Sequence, residues 1–501
     1  MASATETSPL LSFKQEPYSI FTPRQKRLII LTAAIASSFS PLSANIYYPA
    51  LNALAAGLDV SSAQINLTIT TYMITQALSP TFTTSFADTS GRRPAYLLCF
   101  TIYITANILL AVQNSYPALL ILRALQSTGI SGTVALASAV AADTITPDER
   151  GLYMGFTSLG NVLAPSLGPV LGGVMCEYTG WRGVFWFLAL SAGIVGVGMG
   201  MWFPETCRRV VGDGSGSCTS SSPASGDSEK KRTTYNPFSP LCILFHLPAA
   251  LLLLSNALVF ASYYTVMAGI PSLFKEIYGL SELGIGLAFI PAGLGSLASA
   301  MFNGVLVDWN YRRVRRGFER NCGRGESDFD GEENLKTEVE AETGEEMVFP
   351  VERARLQIGG PMTFLCTIPL LLYALLLPQT PPLPVSLVLI FLISFTITAS
   401  YNVINVLLVD LYYSTPASAM ATNNLVRCLF GAASTALVQP CIRRFGVGTT
   451  YAVVAGVVGM ICCPLLGTVY IFGAGWRGER EKRRERKGME DGSQGTRKRA
   501  E

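Results

Sequence analysis

Long apolar runs, each broken by only a few polar positions, recur along the whole 501-residue chain. A helix that crosses the ~30 Å hydrocarbon layer needs about 20 such residues, at roughly 1.5 Å each. Twelve segments meet that length and predict membrane helices over 28–50, 64–86, 95–113, 117–140, 152–175, 183–203, 248–270, 283–306, 357–377, 384–408, 417–439 and 449–473. They fall into two sets of six. Between them, 205–247 is polar and rich in Ser and Gly, which reads as a flexible linker. The predicted organisation is an all-α membrane protein: a tail over 1–27, a six-helix bundle over 28–204, the linker, a second six-helix bundle over 248–473 interrupted by a polar insertion at 307–355, and a basic tail over 474–501.

The polar positions carry a repeat. Asp88 is followed at four and five residues by Arg92 and Arg93, with Gly91 between. Asp308 is followed at the same offsets by Arg312 and Arg313. Each copy sits just after the second apolar segment of its half. One charged turn placed twice points to a duplicated bundle whose halves move against each other, as transporters are built.

Composition agrees: 50% of residues are hydrophobic and 14% charged, against about 25% charged in an average soluble domain. With the N-terminus inside, the inner segments hold 31 Lys and Arg and the outer loops four: Arg182, Lys275, Arg443 and Arg444. That asymmetry predicts both termini and the linker in the cytoplasm. It also leaves the net charge of +3 without meaning for nucleic acid. Residues 1–26 lack the apolar core of a cleavable signal, and Glu6-Thr-Ser-Pro-Leu-Leu11 has the form of a dileucine sorting signal. The basic run from Arg477 to Lys487 reads as solvated or as touching anionic lipid. Asn66-Leu-Thr68 matches a glycosylation acceptor but falls at the mouth of a span, too near the membrane to be modified.

Several chemistries are excluded. His246 is the single histidine, so no histidine-based metal site or Ser–His hydrolase can be assembled. No phosphate-loop motif is present, which removes ATP hydrolysis as the energy source. The eleven cysteines show no metal-ligand spacing and read as small apolar fillers. No enzyme activity, cofactor or metal is expected. Secondary transport or a channel remains, and the duplicated charged turn favours transport.

Outside the tails and linker, the chain resembles the major facilitator superfamily, in its fungal twelve-span drug:proton antiporter branch. The turn motif of that family is similar to Asp88-x2-Gly91-Arg92-Arg93, although Thr84 stands where its first glycine would be. The second copy keeps that glycine as Gly304 and replaces the other with Tyr311. Asp143 matches the family position that pairs with these arginines in a network locking the halves when the pump faces outward. The run Gly155-x8-Ala164-x3-Gly168-Pro169-x2-Gly172-Gly173 resembles the antiporter motif of exporters. Small residues at that spacing let helices approach to backbone distance, and Pro169 adds a bend. Arg123 with Gln126 looks like the family's Arg-x-x-Gln motif. Phe203-Pro-Glu-Thr206 is similar to the end of the sixth span in this branch.

Substrate chemistry is sought among polar groups at membrane depth, where charge is expensive and functional. Arg123 and Arg427 lie within spans, and Asn424 shares a helical face with Arg427. No Asp or Glu falls in the middle of a span, so the cavity is expected to be positive and to suit an anionic cargo through bidentate bonds. The alternative is that Arg123 serves proton coupling and Arg427 pairs with backbone carbonyls. In the resembled fold, spans 1, 4, 7 and 10 line the cavity, which adds Asn45, Asn402 and Asn405 as cargo contacts. Asn402 and Asn405 read equally well as interhelix hydrogen bonds. The expected function is a monomeric plasma-membrane exporter, less readily a vacuolar one, coupled to protons and carrying by alternating access an acidic organic metabolite, either a citrate-like di- or tricarboxylate or a carboxylated secondary metabolite. A broad multidrug pump is the rival within transport. A transporter-like scaffold is the rival outside it, suggested by the insertion at 307–355.

Overall fold

The computed structural model describes residues 21–145, 150–207, 243–321, 350–412 and 416–478. The dileucine motif, nearly all of the linker, the acidic part of the insertion and the tail beyond 478 lie outside them. Every regular element among the described residues is helical. The first half holds α1 (Pro23–Asn45), α2 (Leu51–Gly57), α3 (Ser62–Ser90), α4 (Arg92–Val112), α5 (Tyr116–Ile130), α6 (Thr133–Thr144), α7 (Arg150–Thr179) and α8 (Trp181–Trp202). The second holds α9 (Leu247–Tyr278), α10 (Glu282–Ala288), α11 (Ile290–Asn321), α12 (Val351–Leu376), α13 (Leu383–Leu411), α14 (Pro416–Phe445) and α15 (Val447–Val457). A π turn at Val458–Cys462 carries the last helix on to Gly478.

Local chemistry explains the helix starts. Thr22 and Ser61 each accept from the third backbone N–H of their helix, while Gln25 and Gln64 reach back to the cap. These capping boxes satisfy donors that would otherwise be orphaned at a membrane surface. Among the described residues, ten helical stretches are long and apolar enough to cross a membrane, with α5–α6 and α10–α11 each counted as one. Of the twelve predicted, α3 and α7 are the two outside that set. Their 29 and 30 residues give length enough, and α3 is richer in Ser, Thr, Asn and Gln.

Packing follows the halves. Helix α1 lies against α6 and α7, α3 against α5, and α4 against α5 and α8. In the second half α9 packs on α13 and α14, α11 on α13, and α12 on α13 and α15. The halves join along α3 with α14 and along α7 with α10 and α11. Because α1 begins at one face of the bundle, that face is called near and the other far. Contacts between halves cluster toward the far face. The Asn52 amide donates to the Pro271 carbonyl at 2.8 Å, Leu283 N–H donates to Glu177 at 3.3 Å, and the rings of Tyr48 and Phe289 stack at 5.5 Å.

Several predicted ends move by five to eight residues, and one moves by more. The segment predicted to end at 306 runs on as α11 to Asn321. In the first half Gly91 stops the equivalent helix with a φ of +105°, a conformation that favours glycine. Tyr311 stands in its place in the second half, so nothing terminates the helix there.

Candidate transport site and its flanking ion-pair networks

Arg123 sits on α5 and is 1% exposed. Its guanidinium lies over the Tyr47 ring at 3.9 Å and the Tyr72 ring at 4.4 Å. It also donates to Gln126, whose amide donates in turn to Asn107 on α4 at 2.7 Å. The lids are themselves held: the Tyr47 hydroxyl meets Thr68 at 2.8 Å and that of Tyr72 donates to the Ser40 carbonyl at 3.2 Å. Arg123 and Gln126 are thus enclosed within the first half and do not face an open path. Two aromatic faces and an amide stabilise a cation that hydrocarbon would otherwise expel.

Arg427 is held differently. It lies eleven residues into α14 from Pro416, about 16 Å along the axis and so near mid-membrane. It is half-buried. It donates to Asn424 Oδ1 at 2.8 Å, lies 4.7 Å from the Phe260 ring and 5.9 Å from that of Tyr401, and, like Arg123, leaves its buried Nε without a partner. No carboxylate among the described residues pairs with it. Phe260 and Tyr264 come from α9, their rings 5.0 Å apart, and Tyr401 from α13 lies 4.7 Å from Phe260. Tyr264 also approaches α14 where Gly431 has no side chain; a Cβ there would lie 2.8 Å from the ring.

The asparagines divide. Asn405 forms an interhelix triad: its Oδ1 accepts from Asn256 at 2.9 Å and from Asn423 at 2.8 Å, tying α13 to α9 and α14. Asn402 lines a cavity of about 270 Å³ between α11 and α13, together with Asn303 and Arg355. Asn45 donates to the Pro41 carbonyl of its own helix at 2.7 Å and packs against Gly168. Asn66 is a buried residue inside α3, 2% exposed.

At the near face, Arg92 donates to Asp88 at 2.6 Å and to Asp143 at 3.0 Å, joining α3, α4 and α6. Sequence reasoning missed the fourth member. Glu205, just past α8, accepts the backbone N–H groups of Arg92 at 2.7 Å and Arg93 at 3.1 Å. A carboxylate there satisfies donors at the start of α4 and complements its dipole. Gly91 makes room for it, since a Cβ would lie 2.5 Å from Glu205. The Arg93 side chain donates to the Gly200 carbonyl. All these bonds lie within the first half.

The second half forms the same network with a different arginine. The expected turn from Asp308 to Arg312 does not form, because α11 continues and carries Arg312 and Arg313 away into exposed positions. Arg355, near the start of α12, takes the place instead. It donates to Asp410 at 2.9 Å, lies 3.8 Å from Asp308 and rests 4.4 Å over the Tyr311 ring. Tyr311, which removed the helix stop, thus supplies a platform for the arginine.

The small-residue run on α7 lies at the seam. Gly168 and Gly172 face α1 at Asn45 and Ile46, while Gly173 and the Pro169 carbonyl face Gly286 of α10 in the other half. Helix α7 runs unbroken through Pro169. Gly155 belongs to the same helix, but its surroundings lie outside the described residues. Among the described residues the eight cysteines are free and no cluster suited to a metal ion occurs.

A polytopic helical bundle joined along two helix seams, with charged groups held at membrane depth, has the build of a membrane transporter. Residues 33–320 match the family model of the Major Facilitator Superfamily. The MFS-type transporter tstD of Talaromyces stipitatus is 39% identical over 96% of this chain and 88% of its own length. Citrate exporter 1 of Aspergillus niger is 33% identical over 94% and 90%. The crystal structure of the human organic anion transporter MFSD10 (TETRAN) shares the fold with a TM-score of 0.58, at 17% identity over 89% of this chain and all of that one. The chain belongs to the major facilitator superfamily. It is a multi-pass membrane transporter of small molecules and not an enzyme.

Proposed function

We propose that this transporter exports an acidic organic metabolite across the plasma membrane, coupled to protons, with both termini in the cytoplasm. The observation that carries the reading is Arg427: a guanidinium near mid-membrane that is only half-buried, unlike Arg123, and has no carboxylate partner among the described residues. A cation held this way is costly unless a passing anion completes its bonding. An organic cation would meet repulsion there. The likeness to a citrate exporter supports the same cargo class.

Direction rests on the small-residue run Gly168–Gly173, and orientation on the excess of Lys and Arg at the near face. With that orientation, the far-face contacts between halves close the outside, while the cavity bordered by Asn402 and Arg355 lies toward the cytoplasm. The arrangement is then inward-facing, ready to load. In it the Arg92 network braces the first half alone; bridging to the second half belongs to the outward-facing state.

The test uses cells expressing the chain and a labelled organic acid. They should accumulate less label than controls, a protonophore should erase the difference, and resistance to lipophilic cations should be unchanged. Cation resistance without any effect on acids would replace this reading with the multidrug one. Net uptake of the acid would remove export itself.

A further inference from the structure

We infer that the cargo carries a single carboxylate on an aromatic or conjugated body, a narrowing that rests on the anionic-cargo reading above. The charge available to it is one. The sequence offers two arginines within the spans, but Tyr47, Tyr72 and Gln126 enclose Arg123 completely. Of the two, only Arg427 is half-buried rather than enclosed. A second or third carboxylate drawn to that depth would shed its water with no countercharge to meet it. The Asn256–Asn405–Asn423 triad is held by hydrogen bonds among its members, is neutral and supplies no countercharge.

What surrounds Arg427 fits a flat, unsaturated body. Phe260, Tyr264 and Tyr401 present three half-buried rings within 5.0 Å of one another through Phe260. Gly431 lets Tyr264 lie close against the backbone of α14. The hydroxyls of Tyr264 and Tyr401 and the amide nitrogen of Asn424 have no hydrogen-bond partner among the described residues. These free groups can donate, which is what a carboxylate and its attached phenolic or carbonyl oxygens require. Rings prefer offset or edge-on contact with other rings, and the guanidinium already lies over one of them.

The full chain, reconstituted in proteoliposomes with an imposed proton gradient, would be offered labelled 4-hydroxycinnamate and labelled citrate at pH 7.5. The monocarboxylate should show a kcat/KM at least about tenfold higher than citrate. Phe260→Leu, which keeps apolar bulk and removes the ring, should lower 4-hydroxycinnamate transport by roughly fivefold or more and citrate transport by a smaller factor. Tyr264→Phe, a milder change that preserves packing, should raise KM for the hydroxylated acid with little change in kcat. Citrate moved as well as or better than 4-hydroxycinnamate overturns the narrowing and leaves the export of acids standing. Transport of neither acid by well-folded protein overturns both.

Discussion

Each half of the molecule places one arginine within the membrane and one Asp–Arg–Asp network at the near face, and the halves use these parts differently. In the first half the membrane arginine is sealed between two tyrosines, and the network is capped by Glu205 around a glycine stop. In the second half the arginine opens beside three aromatic rings, and the network is assembled across an insertion. Duplication therefore fixes where charges sit but not what they do. The first half carries the enclosed, braced versions of both parts; the second carries the accessible ones.

The largest expected effect separates the two arginines. Arg427→Ala should reduce acid export by about a hundredfold or more at normal surface level, because water cannot supply the lost charge at that depth. Arg427→Lys should recover only part of it, since an ammonium lacks the planar fork. Arg123→Ala should act on folding instead. It leaves a cavity between Tyr47 and Tyr72 and an unpaired Gln126 carbonyl, at a cost of roughly 2–5 kcal/mol. Surface amount measured beside transport per molecule distinguishes the two. If both variants fold normally and lose transport equally, the halves are functionally equivalent in this respect and the contrast is void.

The elements that the sequence made legible are those with local causes. Apolar length predicted the crossing segments, and the ends of α1, α4, α8 and α13 fall within several residues of expectation. Asp88, Gly91 and Arg92 were readable because a turn of five residues holds them together. What escaped depends on tertiary packing. Arg355 lies 47 residues after Asp308, and only the fold shows that the insertion returns there; the warning was Tyr311 in place of the glycine stop. The enclosure of Arg123 needs the ring of Tyr47 from the turn after α1 and that of Tyr72 from α3, whose spacing in the sequence gives no sign that they meet. Phe260 and Tyr264 were likewise invisible as site residues, since aromatic residues in an apolar span usually serve packing. Glu205 had a usable signal: a carboxylate directly after Pro204 at the end of a span is placed to cap something.

An intermediate effect is expected at the first network. Asp88→Asn removes the charge that meets Arg92 at 2.6 Å, while Asp143 remains. The exchange between facing states should slow by about tenfold, and cargo affinity measured on purified protein should stay within a few-fold, because the network is remote from Arg427. Collapse of binding would place Asp88 in the cargo site.

The smallest effect should come from the matching change in the second half. Asp308 is 69% exposed and 3.8 Å from Arg355, whereas Asp88 is 43% exposed and much closer to its arginine. An exposed pair at that distance contributes about 0–1 kcal/mol. Arg355 also retains Asp410 at 2.9 Å and the Tyr311 ring beneath it, so its position does not depend on Asp308. Asp308→Asn should therefore change the transport rate by no more than about twofold, against the larger loss in Asp88→Asn assayed side by side. Removing the better-buried partner instead, with Asp410→Asn, should restore a deficit approaching that of Asp88→Asn. Equal losses from Asp88→Asn and Asp308→Asn would mean that the two networks carry the same load in the cycle, and that the difference in their exposure and spacing has no consequence for transport.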